Sequence, residues 1–243
     1  MAADAAAARS RPRGGIDLAR SLTMHPVQWT GLWLVALAVA APAVAADDEE
    51  RGFVSIFDGR TLEGWTGSTK GYTVENGVLV CLKEGGGNLY TQQQYSDFVF
   101  RFEFRMEPGG NNGVGLRAPL TGDVAYQGME IQLLDDDAER YRNLKPYQYC
   151  GSIYGVVPAK RGHLKPAGQW NSMEITCRGR EVKVVLNGET IVDANLDKAA
   201  PDGKTIDGRE HPGLQRTSGH LGFLGHGARV EFRNLRVKDL AAR

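Results

Sequence analysis

The stretch "SDFVFRFEFRM", Ser96 to Met106, constrains this chain more than any other. Phe98, Phe100, Phe102, Phe104 and Met106 fall on one face of an extended strand, and Val99, Arg101, Glu103 and Arg105 on the other. Side chains alternate across a strand, so this pattern places one face in a core and the other in water. Such one-sided strands belong to antiparallel sheets, because parallel strands are usually covered on both faces.

Other segments repeat the device. "YTVENGVLVCL" reads as two strands joined by Asn76-Gly77, and "REVKVVLNGETIVD" as two joined by Asn187-Gly188. Asn-Gly suits the two-residue hairpin turn because both central residues must take positive φ. "WNSMEITCRG" puts Met173, Ile175 and Cys177 on one face. "ARVEFRNLRVKDL" changes phase between Phe232 and Leu235, which predicts a bulge near Arg233-Asn234. Amphipathic helix patterns never exceed a couple of turns, and "DKAAPDGKTIDGREHPGLQR", Asp197 to Arg216, reads as a long polar connection. Many short strands with turn signals predict an all-β, two-sheet antiparallel sandwich, with a closed barrel equally compatible with the period.

The N-terminus reads differently. An apolar run from Gly31 to Ala41 is followed by Ala43-Val44-Ala45 and then acidic residues. The run is too short to span a bilayer, and small residues at positions 43 and 45 suit signal-peptidase cleavage. Residues 1–45 are therefore expected to be an extension plus signal peptide. Residues 46–243 are expected to be one periplasmic or secreted domain with no stable membrane insertion after cleavage. Taking the leader's four Arg and two Asp from 29 basic and 29 acidic residues leaves 25 and 27, a net charge of −2. No basic patch dominates, which argues against a nucleic-acid partner. Nothing sets an oligomeric state.

Cys81, Cys150 and Cys177 are odd in number, so a fully paired disulfide framework is excluded. Cys81 and Cys177 lie on apolar strand faces and read as buried thiols, with one disulfide open in an oxidising compartment. No Cys/His spacing fits a zinc site, and neither metal nor cofactor is expected.

"GFVSIFDGRTLEGW" near the expected mature start resembles the opening of the 3-keto-disaccharide hydrolase family. So do "NNGVGLR", "QGMEIQLLDD", "GSIYG", "QWNSMEI" and "GHGARVEFRNLRV", in the family's order, over roughly residues 52–240. The resemblance implies a concanavalin-A-like jelly roll. It also implies carbohydrate as partner, and activity on glycosides with a ketone at C3. Two positions depart from the family pattern: Asn112 stands where a serine is frequent, and Leu224 where a glutamine is.

The segment "YQGMEIQLLDDD" holds the candidate chemistry. On a regular strand Glu130 and Gln132 share a face and Asp135 points away; a bulge near Leu133-Leu134 would return Asp135 to Glu130. That E-x-Q-x-x-D spacing is similar to the bulged catalytic strand of family 16 jelly-roll glycanases, with the central carboxylate replaced by an amide. A 3-keto sugar has an acidified C2 proton, so one base, a donor for the enolate oxygen and an acid for the leaving group suffice. Glu130, Asp135 and His226 are the catalytic candidates. Arg117, Gln132, Asn112 and Tyr154 are the substrate-binding candidates, with Arg117 expected beside the two carboxylates. Trp65 and Trp170 are read as core before platform. The competing readings are a non-catalytic carbohydrate-binding jelly roll and a structural domain holding calcium at the acidic loop 135–137.

Overall fold

The computed structural model describes residues 50–241; the expected signal segment and its cleavage site lie outside them. The large sheet runs in the order β11 (Glu189–Asn195), β10 (Glu181–Leu186), β9 (Asn171–Arg178), β6 (Phe98–Met106), β13 (Val230–Asp239), β4 (Val78–Cys81), β3 (Tyr72–Glu75). A short β1 (Val54–Ser55) also pairs with β13. The small sheet runs β2 (Trp65–Gly67), β5 (Asn88–Tyr95), β12 (Gly219–Gly225), β7 (Asn111–Ala118), β8 (Met129–Leu134). Two sheets packed face to face make a sandwich, so the barrel alternative falls away, and the jelly-roll class is the one observed.

β6 sits at the centre of the large sheet between β9 and β13. Its burial alternates residue by residue, with the Phe98–Met106 set inward. Inward rings from both sheets meet in the middle: Phe223 of β12 stacks on Phe232 of β13 at 3.7 Å between centroids, and Trp65 on Phe223 at 5.9 Å. Each fully buried Phe contributes about 1.5–3 kcal/mol of transfer free energy, so this aromatic layer is what clamps the sheets together. Trp65 is a core residue, as expected.

Both Asn-Gly turns have positive φ at both positions: 51° and 80° at Asn76-Gly77, 52° and 90° at Asn187-Gly188. The bulge in β13 falls between Arg233 and Arg236, with Asn234 at φ 54°, and it returns Leu235 and Val237 to the core. The three cysteines are buried free thiols. Burial pushes Cys177 up to about 12 and raises Cys81 and Cys150 too, so none is an available nucleophile.

The two sheets differ on their outward faces. The large sheet's is solvated. The small sheet's is partly covered by α1 (Val124–Gln127) and by the connection after α2 (Leu196–Ala199), which is tied to α1, while residues 151–157 extend its edge. All six residues of β8 are consequently buried. Its free edge is occupied: Gln132 N donates to Ser152 O (3.0 Å) and Tyr154 N to Glu130 O (2.9 Å).

Candidate functional site

Met129, Ile131 and Leu133 of β8 point into the main core. Alternation therefore sends Glu130 and Gln132 to the outward face of the small sheet, where each is 5 % exposed. On β7, Val114 and Leu116 point inward, so Asn111, Gly113 and Gly115 line the same outward face. The pairing of Gly113 with Gln132 and Gly115 with Glu130 places a glycine opposite each polar side chain. Glu130 leans across Gly113: a methyl group there would collide with Oε1 and lie 2.7 Å from Cδ. The glycine makes the room the carboxylate occupies.

Three side-chain oxygens on this face have no hydrogen-bond partner although buried: Asn111 Oδ1, Glu130 Oε1 and Gln132 Oε1. Leaving such a group unmade costs about 1–3 kcal/mol, more if charged. His226, in the turn after β12, brings Nε2 to 3.6 Å from Glu130 Oε1. That is an ion-pair distance, longer than a hydrogen bond. The imidazole is 46 % exposed and so within reach of solvent and ligand. Its contact with Glu130 lifts its pKa above the ordinary value against the effect of burial, and the charge of Asp123 adds to the rise. The Tyr154 hydroxyl accepts a hydrogen bond from Gln148 Nε2 at 3.0 Å and keeps its own proton to give. A small apolar patch of Tyr90, Ala118, Val124 and Leu224 completes this face.

Glu130, His226, Gln132 and Tyr154 are thus brought together. Asp135 is not. The β7–β8 register runs without a break from Asn111–Leu134 to Leu116–Met129, so the expected bulge near Leu133-Leu134 is absent. Asp135 instead accepts from Gly109 N at 2.7 Å, while its own N–H donates to Gly110 O at 3.0 Å. It closes a turn. Asp136 likewise accepts from Cys150 N at 2.9 Å, so these two carboxylates of the acidic loop serve the backbone.

Arg117 is also placed elsewhere. A regular β7 would put it in phase with Gly113 and Gly115. The bulge missing from β8 occurs here: between His220 and Gly222 of β12, β7 carries one residue more, and Arg117 takes φ 47°. Its guanidinium turns to the far edge of the sandwich. There it donates to Ser96 O (2.8 and 3.0 Å), Gly179 O (2.9 Å) and Arg216 O (3.3 Å), and pairs with Asp97 (3.2 Å). At 1 % exposure it is an anchor between loops. Asn112, in phase with Val114, faces inward beside Tyr72 and Cys81 and accepts from Gly113 N at 2.9 Å. Trp170 is neither core nor platform. It lies on the solvated face of the large sheet between the guanidiniums of Arg105 (4.8 Å) and Arg233 (4.1 Å).

Sequence reasoning passed over Asn111 and Gly113. The signal was available in their phase: both share a face with Glu130 and Gln132 once β7 and β8 are paired. It also passed over Tyr126 and the buried pair His211–Asp207 (3.0 Å), because nothing local shows where the long connection comes to rest. The assembled face offers buried acceptors, an imidazole held toward its protonated form and a phenol. It is equipped to receive a ligand rich in hydroxyl donors and to move a proton on it.

Comparison with known proteins bears on the family and the fold. Over 228 residues the chain is 26 % identical to a 3-keto-disaccharide hydrolase of Bacteroides thetaiotaomicron, covering 78 % of this chain and 79 % of that protein. It is similar to the crystal structure of a candidate glycosyl hydrolase from Parabacteroides distasonis, with TM-score 0.69 and 30 % identity over 77 % of this chain and 99 % of that one. A second such structure from that organism matches with TM-score 0.68 and 25 % identity, covering 80 % and 96 %. Residues 52–238 match the profile of one family, and the chain belongs to it: the 3-keto-alpha-glucoside-1,2-lyase-like domains.

Proposed function

We propose that this protein is an exported glycosidase-type enzyme that cleaves 3-keto-glycosides by elimination followed by hydration. The observation that carries the reading is the buried Glu130 carboxylate, one oxygen of which makes no hydrogen bond and lies 3.6 Å from an accessible imidazole. A fold bears the cost of such an oxygen where a ligand completes it. The family membership and the 3-keto-disaccharide hydrolase relative supply the substrate class.

In this mechanism the C3 ketone acidifies the C2 proton and Glu130 removes it. The electron pair left at C2 is held as an enolate on the C3 oxygen, toward which the Gln132 amide and the Tyr154 hydroxyl are the donors. The pair then forms the C1–C2 double bond, the C1–O bond breaks, and His226 gives the leaving oxygen its proton. Water afterwards adds its hydroxyl to C1 and its proton to C2. His226 suits the acid role because its contact with Glu130 favours the protonated form. A two-carboxylate route, which needs carboxyl groups about 5–5.5 Å apart for retention, gets no support from Asp135, whose carboxylate closes the 109–110 turn.

The test is aglycone release from paired glucosides, native and 3-keto. Release from the 3-keto compound alone is expected, because without the ketone the C2 proton is too weakly acidic for one base. Tight binding of both with release from neither would assign the face to a carbohydrate-binding module. Export rests on the apolar run and Ala43-Val44-Ala45, and N-terminal sequencing of protein from the native host checks it.

A further inference from the structure

The polar connection after α2 does more than return the chain. Its middle is organised by Asp207, whose Oδ1 accepts from Thr205 Oγ1 (2.7 Å) and Arg209 N (2.9 Å) and whose Oδ2 lies 3.0 Å from His211 Nε2. Asp207 N donates to Gly155 O at 3.3 Å, next to Tyr154, and His211 Nδ1 lies 3.1 Å from Ala125 O in α1. The connection is therefore tied to both segments that flank Glu130. Gly155 must be glycine for this: φ is 74°, and a Cβ would fall 2.7 Å from the His211 ring.

Held in this way, the connection delivers Arg209 to Tyr126. The guanidinium lies over the phenol ring at 3.9 Å and donates to its hydroxyl, and the His211 ring packs on the phenol at 4.7 Å between centroids. Arg209 is exposed, and holding an exposed arginine in one rotamer is entropically unfavourable. Here it becomes part of a wall. Tyr126 and Arg209 line a hollow of about 660 Å³ together with Thr121, Asp123, Gln127 and Arg216, a volume within the range of small-molecule sites. Asp123 caps α1, and Val124 of α1 packs on Gly115 of β7, the residue paired with Glu130, so the hollow adjoins the proton-transfer pair. Two cations, Arg209 and Arg216, balance two carboxylates, Asp123 and Glu210, around its rim. Such a rim favours a neutral, polar occupant over an ionic one.

We propose that this hollow is the leaving-group subsite, shaped for a second uncharged sugar ring, with Arg209 and Tyr126 as its specificity-determining residues. The inference rests on the reading that Glu130 and His226 face the 3-keto ring. A planar guanidinium laid on a phenol offers an apolar face for a pyranose and N–H donors at its edge for adjacent hydroxyls.

The experiment compares Arg209→Ala with the native protein on a 3-keto-disaccharide and on methyl 3-keto-glucoside, with melting temperatures recorded. The ratio of kcat/KM, disaccharide over methyl glycoside, is expected to fall about tenfold, the size of one charge-assisted hydrogen bond, mainly through KM. A ratio within about twofold of the native value would overturn the proposal. If the native protein turns over neither compound, the parent reading fails, and calorimetric binding of the unoxidised disaccharide and methyl glucoside decides this one. A disaccharide preference that Arg209→Ala abolishes supports the subsite; no preference, or one that survives, rejects it.

Discussion

The outward faces of the two sheets carry similar residue types and treat them in opposite ways. On the large sheet, Arg101 pairs with Glu174, Arg105 with Glu231, Arg233 with Glu103, and Arg229 with Glu75. These pairs are partly exposed and match each charge with its opposite on a neighbouring segment. On the small sheet, Glu130, Gln132 and Asn111 are buried with oxygens unpartnered, and a solvent-accessible imidazole approaches one of them. Charges matched across strands are scaffold; buried oxygens left without a hydrogen bond are where a ligand is proposed to bind.

The largest effect that tests this contrast is Glu130→Gln. It keeps the shape and removes the base, so kcat on a 3-keto-glucoside should fall by about 10²–10⁴, with the melting temperature held or raised. Full activity in this variant would end the role given to Glu130. Next comes Arg117→Met. Removing the buried guanidinium leaves the carbonyls of Ser96, Gly179 and Arg216 without their donor. A loss of about 3 kcal/mol in denaturant unfolding is expected, with kcat of the folded enzyme near native; a selective loss of kcat at unchanged stability would return Arg117 to the site.

Gly113→Ala should be smaller and of the other kind. The new methyl displaces the Glu130 carboxylate, and a misplaced base costs on the order of 10- to 100-fold in kcat, with little change in stability. On the opposite face, Arg105→Met breaks the pair with Glu231 and the contact with Trp170. Half-exposed pairs of this sort are worth about 0–1 kcal/mol, so unfolding should shift slightly and turnover not at all. An effect on kcat there would undo the contrast between the faces.

The smallest expected signal is the titration of His226, followed by NMR. Its pKa should lie above the ordinary value of about 6.5 and drop toward it in Glu130→Gln, because the contact with Glu130 is the chief cause of the rise. A raised folded-state value means the pair's contribution to stability is present below the ordinary pKa and fades as pH climbs through the raised one. Activity that needs a protonated His226 should decline over the same climb. An unshifted titration in the variant would separate the two residues.

Much of the fold was legible in the sequence. The Phe98–Met106 alternation, the two Asn-Gly turns and the phase change at Arg233-Asn234 each act over a few residues, and each appears in the structure where the pattern put it. The site was legible only where strand phase alone decides it. Glu130 and Gln132 share a face because period two requires it. Arg117 and Asp135 were misread together, because a bulge was expected in β8 and occurs instead in β7. One extra residue on a strand reverses the face of every residue beyond it, and whether it is accommodated depends on the partner strand.

The sequence by itself determined the strand class, the turns, the inward aromatic layer and the candidates Glu130 and His226. Tertiary structure alone decided that residues far apart in the chain meet: Glu130 of β8 and His226 after β12, Gly113 opposite Gln132, Arg209 over Tyr126. The reason is physical. Backbone alternation and turn geometry are local and act on neighbours in the chain. Which polar atoms find partners, and which stay unpaired, depends on the register between strands and on the loops that cover a sheet, and both are set by packing across the whole sandwich.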